Sequence, residues 1–138
     1  MVVQLFRQLR AFFNDSLCFF PLGAQVTDYV VPSNTKEIGD GAFMGSFIET
    51  IKSNTELEAI GRNAFYNSIF LKHIKIPTKI ASIKEGTFAY CFSLMDVEVQ
   101  DELTKIEKIA FLECESLETV IMKGVICIGE KSFYKCNS

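Results

Sequence analysis

A phenylalanine returns at Phe43, Phe65, Phe88, Phe111 and Phe133, at intervals of 22, 23, 23 and 22 residues. Self-similarity at this period marks a stack of equivalent supersecondary units, each too short to enclose a core of its own. Such units must share burial with their neighbours, so the expected architecture is a solenoid rather than a globule with one centre. A chain of 138 residues that is 49% hydrophobic and 22% charged can supply the apolar surface the stack needs.

Alignment on the phenylalanines gives Ile38-Gly39-Asp40-Gly41-Ala42-Phe43 and Ile60-Gly61-Arg62-Asn63-Ala64-Phe65, followed by equivalent segments from Ile83 to Phe88, Ile106 to Phe111 and Ile128 to Phe133. Three residues beyond each phenylalanine stands a small side chain: Ser46, Ser68, Cys91, Cys114 or Cys136. Then come Leu71-x-x-Ile74-x-Ile76, Leu94-x-x-Val97-x-Val99 and Leu117-x-x-Val120-x-Met122, whose last three residues have the period of two of a half-buried strand. Ile48-x-x-Ile51 is a weaker version, one residue shorter. A turn follows each strand and leads through Leu57, Ile80, Leu103 or Val125 to the next isoleucine.

Upstream, Val26-x-x-Tyr29-x-Val31-Pro32 fits the same strand and turn, and Phe20 falls six residues before Val26 as Phe88 does before Leu94. The isoleucine expected near position 15 is missing, so the pattern decays there. Val2, Val3, Leu5, Phe6, Leu9, Phe12 and Phe13 suit one broad helical face, which predicts a capping helix over 2–13.

Ile-Gly-x-x-Ala-Phe, a small residue three positions on, and then Leu-x-x-Ile-x-Ile-Pro together resemble the BspA-like (treponemal-type) leucine-rich repeat, over residues 26–138. The resemblance implies an α/β solenoid: a right-handed leucine-rich-repeat superhelix with a parallel β-sheet on one face and short helices or turns on the other. It also implies protein binding and, in microbial members, surface adhesion. The expected division is an N-terminal flank over 1–24, with the capping helix and the degenerate repeat, and leucine-rich repeats over 25–138, the last incomplete.

No catalytic, cofactor or metal site is expected. Cys91, Cys114 and Cys136 should lie on successive coils about 4.8 Å apart, but zinc needs convergent thiolates, and Ser46 and Ser68 share the column. A buried ladder satisfying turn backbone groups is the better reading, while Cys18 and Cys127 lie off it with no assigned role. His73 is the only histidine and has no visible nucleophile beside it. Gly39, Gly61 and Gly129 recur in one column and are expected to supply positive φ in tight turns rather than to bind phosphate.

The strand positions that should face outward form two columns, Thr50, His73, Asp96 and Thr119 in one and Lys52, Lys75, Glu98 and Ile121 in the other. His73 should then lie beside Asp96, and Lys75 beside Glu98. These eight residues are the candidate binding face for a protein or peptide partner, with a merely solvated face as the alternative. The function expected is a non-catalytic protein–protein interaction module, and the second reading is a structural or adhesive segment of a larger microbial cell-surface protein.

A net charge of −3 with scattered Lys and Arg argues against nucleic acid, and no apolar run reaches the roughly 18–20 residues of a membrane span. The absence of an unbroken apolar leader and the odd count of five cysteines favour an intracellular location, with the cell surface implied by the resemblance. The fifth unit stops before its strand. That leaves the strand from Leu117 to Met122 with an open edge, expected either to continue in a longer array, which is preferred, or to pair with a second copy as a homodimer.

Overall fold

The computed structural model describes residues 12–21, 23–99 and 102–137. Among the described residues twelve short strands follow one another: β1 (Phe12–Phe13), β2 (Ser16–Leu17), β3 (Asp28–Val30), β4 (Glu37–Ile38), β5 (Thr50–Lys52), β6 (Ala59–Ile60), β7 (His73–Ile76), β8 (Ser82–Ile83), β9 (Asp96–Val99), β10 (Lys105–Ile106), β11 (Thr119–Ile121) and β12 (Cys127–Ile128). The odd-numbered strands from β3 onward pair in parallel in the order β11-β9-β7-β5-β3. The register advances one repeat per strand, so that Ile51, Ile74, Val97 and Val120 lie side by side facing the core. Their alternation of apolar and polar residues is what makes one face dry and the other wet.

A second line of strands was not expected from the residues. β2, β4 and β6 pair in parallel, with β1 antiparallel on β2, and β8, β10 and β12 form a further parallel set. Each parallel strand contributes only two residues, ending in the inward Leu17, Ile38, Ile60, Ile83 or Ile106, or in the exposed Ile128. Two residues are too few to display a period of two, so only the recurring isoleucine announced this line.

The phenylalanine column is a continuous pillar. Successive rings from Phe43 to Phe133 are stacked with centroids 5.0–5.4 Å apart and planes within 14° of parallel. Around them the chain turns without helix. In the five coils from Phe43 to Phe133 the residues two before and two after the phenylalanine have positive φ: Gly41 and Gly45, Asn63 and Asn67, Gly86 and Tyr90, Ile109 and Glu113, Lys131 and Lys135. The short helices allowed for this side do not occur among the described residues, because a left-handed residue every fourth position cannot propagate a right-handed helix. The backbone instead turns alternate N–H groups along the stack, as where Phe43, Phe65, Phe88 and Phe111 donate to the carbonyls of Ala64, Thr87, Ala110 and Ser132 at 2.7–2.9 Å.

At the N-terminal end, Leu17 pairs beside Ile38 and is fully buried, so the missing isoleucine is a leucine set closer to its phenylalanine. Phe20 packs on Phe43 at 5.1 Å and extends the pillar. The capping helix predicted over 2–13 falls largely outside the described residues, and its last two, Phe12 and Phe13, form β1.

The recurring glycines have another role than the one expected. Gly39, Gly61 and Gly129 do not have positive φ; they lie so close to the preceding coil that a Cβ on Gly61 would come 2.4 Å from the Asp40 backbone nitrogen. One polar residue also intrudes on the core. Thr35 stands in the column of Leu57, Ile80, Leu103 and Val125, is 1% exposed, and its Oγ1 has no hydrogen-bond partner among the described residues. Thr35→Val keeps the shape and removes an unsatisfied hydroxyl, so it should raise the unfolding free energy by about 1–2 kcal/mol. The check is a higher urea midpoint at unchanged slope; an unchanged or lower midpoint would contradict it.

Candidate recognition face

The eight outward residues occupy the solvent face of the main sheet. Asp28, Thr50, His73, Asp96 and Thr119 are laterally adjacent in one row. Val30 lies beside Lys52, and Lys75, Glu98 and Ile121 continue the second row. His73 Nδ1 is 2.5 Å from Asp96 Oδ2, and Lys75 Nζ is 2.7 Å from Glu98 Oε1. Thr50 donates to the Asp28 carboxylate, and this bond, with a second from Thr27, holds that carboxyl below the usual range. Each pair is solvent-exposed, where such contacts add little, so the rows set register and surface pattern more than stability. Asp28 and Val30 were missed as members of the face, although the strand spacing of Val26, Tyr29 and Val31 carried the signal.

The small-residue column is a buried ladder. Ser68 Oγ donates to the Phe43 carbonyl at 2.7 Å, and the thiols of Cys91, Cys114 and Cys136 reach the carbonyls of Phe65, Phe88 and Phe111 at 3.0–3.1 Å. Each side chain thus satisfies a carbonyl of the preceding coil. Burial pushes the Cys91 thiol up to about 12 and raises Cys114 as well, which keeps these two protonated and unreactive, and it raises the half-buried Cys136. Among the described residues, no group of three or more His, Cys, Asp or Glu side chains could hold a metal ion. In native protein, a maleimide should modify the exposed Cys18 and Cys127 and spare Cys91 and Cys114; mass spectrometry of labelled peptides reads the pattern, and equal labelling of all five would refute the ladder.

The turn side carries exposed aromatic and apolar side chains that the residue pattern did not single out. Phe47 and Phe70 stack at 5.7 Å, and Met44 and Ile69 are also exposed. At the last described coil Ile121, Ile126, Ile128 and Tyr134 present apolar surface. No helix among the described residues is long and apolar enough to cross a membrane.

The family described as the BspA type leucine rich repeat region matches residues 16–138 in six copies. Among solved structures, the chain is similar to a leucine-rich cell surface protein from Faecalibacterium prausnitzii A2-165, with 28% identity and a TM-score of 0.85 over 88% of this chain and 33% of that one. It is similar to the leucine-rich repeat protein of T. pallidum, with 26% identity and a TM-score of 0.81 over 88% of this chain and 59% of that one. A leucine-rich repeat protein from Bacteroides ovatus ATCC 8483 gives 25% identity and a TM-score of 0.66 over 88% and 38%. The chain therefore spans between a third and three fifths of these relatives. No curated protein sequence matches it. The intracellular location expected from the residues finds no support in these relatives, the first of which is a cell surface protein.

Proposed function

Because the chain belongs to the BspA-type leucine-rich repeat family, we propose that it is a non-catalytic recognition module that binds a protein or peptide through the outward face of its main sheet. One observation carries this reading: the sheet presents polar, charged and apolar side chains in two outward rows, Thr50, His73, Asp96 and Thr119 paired laterally throughout, and Lys52, Lys75, Glu98 and Ile121, paired from Lys75 onward. A broad face of mixed charge suits an extended macromolecular partner better than a small enclosed substrate. The open edges of β11 and β12 are a further place for pairing, with another coil or a second copy.

The test is selection of displayed random peptides on the native chain, followed by counter-screening on two variants. His73→Ala, Asp96→Ala and Glu98→Ala together should abolish binding of the enriched peptides, whereas Phe47→Ser with Phe70→Ser on the turn side should leave it unchanged. Loss only with the turn-side variant, or no enrichment, would overturn the assignment. Similarity to a cell surface protein supports a second reading, in which these repeats are an adhesive or structural segment of a larger surface protein. Antibody labelling of intact cells tests that location, and signal confined to lysed cells would refute it.

A further inference from the structure

The stack parts at one boundary. Between β5 and β7 the main sheet pairs only Thr50 with His73 and Ile51 with Ile74, against four pairs from His73 to Ile76 across the next boundary. The second line of strands is interrupted between the same coils, since β6 ends one set and β8 begins another. On the turn side these coils remain joined: Phe65 donates to the Thr87 carbonyl at 2.9 Å, and its ring lies 5.4 Å from that of Phe88. The coils are thus held along the phenylalanine pillar and at the start of the main sheet, and they part beyond Ile51 and along the second line of strands.

One residue stands at the parting of the main sheet. The inward strand position held by Val31, Ile76, Val99 and Met122 in other coils is Ser53 in this one. A hydroxymethyl group cannot fill the volume of a branched side chain, and Ser53 Oγ turns instead to the Lys75 carbonyl at 3.2 Å. The resulting cleft measures about 320 Å³ and is lined by Lys52, Ser53, Asn54, Lys75, Pro77 and Thr78 among others. That is near the lower end of small-ligand sites, ~300–1,000 Å³, enough for a side chain or small anion. Its wall is rigid: Asn54 Nδ2 donates to the carbonyls of Pro32 and Thr35 at 2.6 and 3.0 Å, and its Oδ1 accepts from the Glu56 N–H at 2.7 Å.

Charge decides what enters. Lys52 makes no ion pair among the described residues. Its charge is felt by Asp28, one strand away. Lys75 is bound to Glu98, and nearby Lys79 to Glu56 at 2.9 Å. Lys52 and Lys75 are like charges in successive places of one outward row, an unfavourable arrangement that an anion placed between them relieves. Lys75 already shows how a carboxylate is taken from this row.

We propose that this cleft is the anchor of the recognition face and receives the carboxylate of an acidic side chain on a bound peptide. The proposal rests on the sheet-face reading above, but a titration with small probes tests it without the natural partner. Backbone amide NMR spectra of the full chain are followed as acetyl-Gly-Glu-Gly-amide is added, with acetyl-Gly-Gln-Gly-amide and inorganic phosphate in parallel. Saturable shifts confined to residues 51–55 and 75–78 are expected with the glutamate peptide, and a response at least about tenfold weaker with the glutamine peptide, the scale of one charge-assisted contact. Lys52→Gln should weaken binding by a similar factor. Ser53→Val, which refills the position as valine does at Val31, should remove it while leaving the rest of the spectrum native.

Equal shifts with the neutral peptide, shifts spread over unrelated lysines, or unaltered binding in the variants would overturn the proposal. Stronger saturation by phosphate would reassign the cleft to a phosphoryl group. If one variant fails to fold, the other decides. Failure here with success in the peptide selection rejects the anchor alone; the reverse rejects the face.

Discussion

Phe88→Ala should lower the unfolding free energy by about 3–5 kcal/mol, the range for truncating a buried aromatic side chain. Phe88 is fully buried, and its ring lies 5.4 Å from Phe65 and 5.3 Å from Phe111, so truncation opens a cavity with ring faces on both sides. Relaxation is limited because both neighbouring rings are themselves stacked further along the pillar. Since each coil depends on the next for burial, the damage should appear as a lower midpoint of the main unfolding transition. Phe70→Ala, on the exposed turn surface, should cost far less. Urea denaturation of both variants checks this, and a Phe88→Ala protein as stable as the Phe70→Ala protein would be incompatible with the pillar.

Gly61→Ala should be strongly destabilising for so small a substitution. Its methyl group would come 2.4 Å from the Asp40 nitrogen and 2.5 Å from the Gly39 carbonyl carbon, both backbone atoms with no rotamer to change. The two coils would have to move apart, weakening the 2.7 Å bond from the Gly61 N–H to the Ile38 carbonyl. Overpacking of this kind costs about 1–3 kcal/mol. Gly23→Ala is the matched control for overpacking: nothing lies within 4 Å of its added methyl, and only its φ of +83° opposes the change, a strain of ~1–2 kcal/mol. Thermal melts distinguish the two causes once Gly23→Asn, which tolerates positive φ, is included. A Gly61→Ala protein that melts with the native one would mean the coils are not in contact there.

Much of this molecule is readable from its residues. The spacing of Phe43, Phe65, Phe88, Phe111 and Phe133 dictates stacked coils, because only lateral burial can shelter a ring once per short unit. The period of two in His73–Ile76 and Asp96–Val99 shows which side chains face out, and therefore that His73 adjoins Asp96 and Lys75 adjoins Glu98. The serine and cysteine column was legible as a ladder for the same reason. Other features left weaker traces. Ile109 and Glu113 have positive φ although neither is glycine, since their N–H groups bond laterally to the Glu130 and Tyr134 carbonyls in a conformation that side chains disfavour, and Lys131 and Lys135 take the same conformation one coil on. Lys84 and Glu107 stand in the column of Gly61, so how closely two coils approach belongs to each boundary and not to the column.

The repeat period, the inward and outward strand columns and the family were determined by sequence alone, because burial at a fixed interval acts locally and identically in every unit. The second line of strands, the left-handed turns that replace helix, and the parting beside Ser53 were decided only in the folded stack. Each depends on how one coil's backbone meets the next, a relation between residues 22 or 23 apart that no single unit contains.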